Sequence, residues 1–316
     1  MKFILTFILF VSSVFALSTQ APDAQYKASG GVTDIIFHDN KLYAATSAGS
    51  VDIFDVKTKK IIEQIKVEKI PDFMGDMVNS KIYSVDVLHG KTLLLSQTKQ
   101  GYRRVHIYDG SQLKQIISFE DYLSIAKAKF LDDNTLLFAL LSNEIISYDI
   151  KNKKQNWLVQ SSGAKFSNFA LNESKDQVVI ADESGDLKIH STKDGKLLKV
   201  LSGKNLDNVF QVDYKNSIIA TAGQDRRVVI YNMKTNSAYY KTTHFLIYSV
   251  GLSPSGKLAG FSSDENNDVT VFNTHTKSTI GIFGGNRMTL TNILFINEKE
   301  FFVSSDDRVI NFYKIK

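Results

Sequence analysis

The chain contains no cysteine among its 316 residues. That absence excludes disulfides, thiolate zinc sites, iron–sulfur clusters, covalently attached haem and a lipid anchor on cysteine. Proline is nearly as scarce, with only Pro22, Pro71 and Pro254, so backbone pairing can run almost unbroken along the chain. Tryptophan occurs once, at Trp157, and arginine six times. Long apolar runs are also missing. The longest, Phe3 to Val11 with Thr6 inside it, is well short of the about 18 apolar residues a permanent membrane span needs.

That short run has a specific context. Lys2 precedes it, Ser12-Ser13 follows it, and Val14-Phe15-Ala16 offers the small residues a signal peptidase accepts. Residues 1–16 are expected to be a cleaved secretory signal peptide, placing residues 17–316 in the periplasm with no stable membrane insertion. The competing reading, an uncleaved anchor, is opposed by the polar Ser18-Thr19-Gln20 that follows. No Arg-Arg pair precedes the apolar run, so export is expected before folding and no cofactor is expected. Removing Lys2 with the leader lowers the formal net charge from +5 to +4 over 300 residues. So mild a charge, spread over scattered lysines, is not the footprint of a nucleic-acid binder.

What is present is a repeat. A β-type run ending in a large ring and a polar residue recurs as Val51-Asp52-Ile53-Phe54-Asp55, Val105-His106-Ile107-Tyr108-Asp109 and Ile145-Ile146-Ser147-Tyr148-Asp149. It continues as Leu187-Lys188-Ile189-His190-Ser191, Val228-Val229-Ile230-Tyr231-Asn232, Val269-Thr270-Val271-Phe272-Asn273 and Ile310-Asn311-Phe312-Tyr313-Lys314. Successive ring positions are separated by 54, 40, 42, 41, 41 and 41 residues. That spacing is the blade period of a β-propeller, about 40 to 45 residues.

Each period holds an alternating strand (Val32 to Phe37, Ile82 to Leu88, Phe245 to Leu252) and then a more apolar one such as Leu42 to Thr46. The signature strand comes third, and a fourth such as Lys60 to Val67 follows it. The prediction is an all-β, seven-bladed β-propeller of four-stranded blades. The seventh repeat ends at its third strand, so Gln25-Tyr26-Lys27-Ala28 is expected to supply the fourth and close the ring.

At these signature strands the chain resembles the WD40 family, with Phe-Asp, Tyr-Asp, Tyr-Asn and Phe-Asn where that family has Trp-Asp. The Gly-His dipeptide of intact WD40 repeats is missing from every blade. With its leader, length and Ile-, Lys- and Asn-rich composition, the chain is also similar to the NapL-type accessory proteins encoded with periplasmic nitrate reductases. That resemblance implies a helper of a molybdenum enzyme, with nitrate reductase subunits as partners and no active site to carry over.

Candidate chemistry is sparse. Six histidines (38, 89, 106, 190, 244, 275) show no metal-ligand spacing; His38 and His89 occupy equivalent loop positions. Trp157 follows a stretch resembling a quinone-propeller motif, but it stands alone and reads as packing. Acidic pairs such as Asp132-Asp133 and Asp306-Asp307 form no calcium loop and suit turns. Arg103, Arg104, Arg226, Arg227, Arg287 and Arg308 all fall in connections that emerge on one propeller face.

The long first interval comes from an insertion at residues 69–80 on that same face, carrying Phe73, Met74 and Met77. Arginine favours interfaces and methionine adapts to them, so these nine residues are expected to form a partner-docking face. The alternative for the arginines is pairing within their own loops. For the whole chain, the alternatives are a propeller enzyme or small-ligand or sugar binder using the central channel, and an envelope-assembly subunit.

Overall fold

The second strand of each repeat is apolar at nearly every position, which is stable only where neighbouring sheets cover both of its faces. A computed structural model, describing residues 18–316, has this arrangement. The expected signal peptide, residues 1–16, lies outside the described residues. Seven antiparallel four-stranded blades surround an axis. Blade 1 is Val32–His38, Lys41–Thr46, Ser50–Asp55 and Lys60–Lys66 from the axis outward. Blades 2 to 6 repeat that order, beginning at Ile82, Ile125, Phe166, Val209 and Val250. Blade 7 is Leu290–Phe295, Glu300–Ser305 and Val309–Lys314, closed by Ala24–Lys27.

The closure is the expected one, one residue earlier at each end: Ala24 pairs with Phe312 and Lys27 with Val309, antiparallel. The chain adds a clasp just before it. Thr19–Gln20 runs parallel to Ile282 and Phe283 on the outer strand of blade 6, making that sheet five-stranded. The N-terminal segment therefore bridges blades 6 and 7.

The core is divided into seven slabs, one between each pair of adjacent blades. Tyr26, Phe54 and Phe302 fill the slab between blades 7 and 1, while Leu136, Phe138 and Phe130 help fill that between blades 2 and 3. Each fully buried aliphatic or aromatic side chain contributes about 1.5–3 kcal/mol by leaving water. Burial falls off outward, so that the outer strand Lys154–Gln160 is largely exposed.

The signature polar residue has a local role that explains its recurrence. Asp55 accepts from Thr58 N at 2.7 Å, Asp109 from Gln112 N at 2.8 Å and Asp149 from Asn152 N at 2.8 Å. Asn232 and Asn273 do the same for Thr235 and Thr276. These are side-chain caps on the turn leading to the outer strand. Those backbone bonds, foremost, hold the three aspartates below the usual carboxylate range.

One strand is shorter than expected. Of Phe245 to Leu252, only Val250–Leu252 is strand. The Ser262 hydroxyl takes the amides of Tyr248 and Ser249 at 2.8 and 3.3 Å, which ends the ladder there. In the strand that remains, Gly251 lies so close to blade 7 that a Cβ would collide with the Ile293 carbonyl oxygen.

Candidate functional site

Strands alternate in direction, so the second-to-third turns and the blade-to-blade connections emerge together on an upper face. The insertion between blades 1 and 2 stands there as a hairpin of Ile70–Pro71 paired with Met77–Val78. Its tip is held by Asp72, whose carboxylate accepts from Met74 N at 2.8 Å and Asp76 N at 3.0 Å. The hairpin presents Phe73, Met74 and Met77 at 95%, 74% and 58% exposure. An ordered loop holding three large apolar side chains in water is a marked surface feature.

A second apolar feature shares this face. Tyr102, Phe119 and Tyr122 meet edge to face with centroids 5.5 to 5.7 Å apart, joining the second-to-third turn of blade 2 to the connection into blade 3. Lys99 lies over Phe119 at 4.2 Å. Sequence reading missed this trio because its members come from two separate loops and no spacing rule links them.

The six arginines divide into two groups. Arg103, Arg104 and Arg227 belong to third strands rather than to turns, paired with Gln97, Ser96 and Thr242. Each is committed locally. Arg103 stacks on Tyr83 at 4.1 Å and donates to the Gly101 and Tyr102 carbonyls. Arg227 stacks on Tyr240 at 4.1 Å and donates to Lys204 O at 2.8 Å. Arg104 donates to Glu68 O at 3.0 Å and Ser80 Oγ at 3.2 Å, so it pins both ends of the hairpin insertion. Arg226, Arg287 and Arg308 are exposed. Acidic residues interleave with them, among them Asp225, Asp264, Glu265, Asp306 and Asp307, so the face carries mixed charge.

The role of Arg104 is testable. Arg104→Met is expected to change unfolding free energy by only about 1 kcal/mol, the worth of ordinary hydrogen bonds. Limited proteolysis should instead cleave within residues 69–80 several-fold faster; an unchanged cleavage rate would mean that the hairpin holds itself.

Trp157 braces blade 3 against blade 4. Its indole donates to Thr192 O at 3.1 Å, and Gly195 (φ +72°) sits where a Cβ would stand 2.8 Å from the ring. His38 and His89 each engage an aspartate, Asp39 at 3.3 Å and Asp133 at 3.0 Å. His106 is buried, and burial together with nearby Arg104 pushes its pKa down to about 4, keeping it neutral. Among the described residues, no three His, Asp or Glu side chains are grouped to hold a metal.

The axis holds a site that the sequence did not disclose. Inner strands of six blades place one polar residue each at the same height, Asp34, Ser84, Lys127, Asn168, Gln211 and Asn292, and in blade 6 Ser249, just before the strand, takes the equivalent place. Many of them bond each blade to the next. Asp34 accepts from Val85 N at 3.0 Å, Ser84 donates to Ala128 O at 3.2 Å and Gln211 accepts from Val250 N at 2.8 Å. One step lower, Asp86 accepts from Phe130 N and Asp213 from Leu252 N, both at 2.8 Å. The ring is thus joined by side-chain hydrogen bonds at its axis as well as by apolar slabs further out.

Geometry and topology together define a WD40-like seven-bladed β-propeller. A solved structure of the same form is the Cps50 (Swd1) β-propeller domain of Myceliophteria thermophila, with a TM-score of 0.75 and 14% identity. The alignment covers 93% of this chain and 99% of that one. No protein-family model and no curated protein matches the chain. At such identity the likeness is one of fold, and function has to be argued from the surfaces. Among the described residues no helix is long and apolar enough to cross a membrane.

Proposed function

We propose that this chain is an exported, non-catalytic scaffold that docks a protein partner on its upper face, with the hairpin tip as apolar anchor. The observation that carries this reading is the exposure of Phe73, Met74 and Met77 on a hairpin tied down by Asp72 and Arg104. Anchors of this kind dominate interfaces when they enter a pocket on the partner. The Tyr102, Phe119 and Tyr122 trio extends the apolar area, while Arg226, Arg287 and Arg308 supply planar donors for carboxylates on the same face, at blades 5 to 7. The resemblance to NapL-type proteins names the first partner to seek, a periplasmic nitrate reductase subunit.

The test is crosslinking and affinity recovery of tagged protein from periplasm of cells grown with and without nitrate. A nitrate reductase subunit should be recovered with the wild type and reduced at least about tenfold by Phe73→Ser/Met74→Ser/Met77→Ser. Arg226→Glu/Arg287→Glu should weaken recovery less. Equal recovery with the triple variant would remove the hairpin from the interface, and recovery of a different protein would remove the nitrate reductase.

A further inference from the structure

Lysine and aspartate seldom line a narrow channel without pairing, because an uncompensated charge away from bulk water is costly. The axis holds a cavity of about 370 Å³, lined by groups including Asp86, Lys127, Lys129, Asn168 and Asp213. That volume falls in the range of small-molecule sites. Lys129 is compensated: its Nζ lies 3.5 Å from Asp34 and 3.9 Å from Asp86 and donates to Val85 O at 2.6 Å.

Two opposite charges lack a direct ion-pair contact, although Asp34, Asp86 and Asp213 act on Lys127 from further off. Lys127 Nζ donates only to neutral acceptors, Asn168 Oδ1 at 3.0 Å and Phe169 O at 2.9 Å. An ammonium has three donors, so one remains. Asp213 accepts from two backbone amides, Tyr214 N and Leu252 N, each at 2.8 Å. Neither Lys127 nor Asp213 has an ion-pair partner within 4.0 Å among the described residues. They stand on inner strands of blades 3 and 5, with Asn168 of blade 4 between them.

From this arrangement we infer that the channel binds a small zwitterion of the α-amino-acid type, its carboxylate on Lys127 and its ammonium on Asp213. Asn168 is bonded to Lys127 through its oxygen, and its amide donors would serve the same carboxylate. Burial, and then neighbouring Lys129, pull the Lys127 pKa down to about 8 against the opposing pull of Asp34, Asp213 and Asp86; a carboxylate in direct contact would add to that opposing pull. The cation and the anion of the ligand would each give a direct ion-pair partner to a group that has none within 4.0 Å among the described residues. The inference is independent of the upper-face docking reading, since the two sites lie on different parts of the ring.

Calorimetry and thermal-shift measurements on the whole protein, against each common L-amino acid at millimolar concentration, test it. At least one should bind saturably. The corresponding amine without the carboxylate, and the acid without the ammonium, should each bind at least about tenfold more weakly. Lys127→Met and Asp213→Asn should each lose binding to a similar degree. Asn168→Asp, which gives Lys127 a built-in counter-charge, should abolish binding with the ring intact, so the test survives misfolding of either other variant. Absence of saturable binding by every amino acid would overturn the proposal. So would undiminished binding in the variants that fold, which would leave Lys127 and Asp213 as links between blades.

Discussion

Tyr26→Ala is expected to lower the melting temperature by about 10 °C, corresponding to roughly 3–5 kcal/mol for removing a large buried ring. Tyr26 is 2% exposed on the strand that closes blade 7. Its ring meets Phe302 of blade 7 at 5.4 Å and Phe54 of blade 1 at 5.7 Å, and its hydroxyl donates to Val56 O at 2.8 Å. One residue thus fastens the N-terminal segment to the last blade and the last blade to the first. Tyr26→Phe keeps the ring contacts and should cost only about 1 kcal/mol. Tyr122→Ala, at an exposed ring, should shift stability by less than about 1 kcal/mol. Equal melting temperatures for Tyr26→Ala and the wild type would show that closure does not depend on this strand.

Lys188→Met should be nearly as damaging. Its ammonium lies 2.8 Å from Asp182, whose side chain is wholly buried. That carboxylate also accepts from Ser162 Oγ at 2.6 Å, Asn143 Nδ2 at 2.9 Å and the Ser184 hydroxyl, tying blade 3 to blade 4. Removing one partner of a buried pair costs about 3–5 kcal/mol, because the other charge is left uncompensated. The double variant Asp182→Leu/Lys188→Met should recover part of the loss, and strict additivity of the two single changes would refute the coupling.

The pH dependence follows from the same cluster. Burial works to raise the Asp182 carboxyl, but Lys188, Ser162 and Ser184 outweigh it and hold the group below its ordinary range. A carboxylate depressed in the folded state adds stability above its unfolded pKa and loses it as pH falls through the folded one. The deficit of Lys188→Met should therefore be widest near neutrality and narrow below about pH 4. Denaturant titrations at several pH values would show this, and a deficit constant with pH would rule out a charge origin.

The two Arg-Arg pairs show where sequence reading stopped. Arg103-Arg104 and Arg226-Arg227 sit at equivalent places in their repeats. Only the first lies beside an insertion, and so Arg104 became the pin of a hairpin while its counterpart Arg227 donates to Lys204 O and stacks on Tyr240. The exposed tip was legible, because apolar residues in a long interval between blades have no slab to enter. The aromatic trio beside it was not, since Tyr102 and Phe119 are neighbours only across two loops.

Blade number, strand order and the closing segment were all readable along the chain, because each depends on residues near one another or on a regular period. The composition of the channel was settled only when the ring closed. Inner strands carry a register shift near their upper ends, as between Val32 and Asp34, Ile125 and Lys127, Phe166 and Asn168, and Val209 and Gln211. A one-residue slip moves side chains to the opposite face of a strand. Simple alternation therefore misassigns which residues face the axis, and Asp34, Lys127 and Asp213, far apart in sequence, share one lumen because seven blades bring their inner strands together.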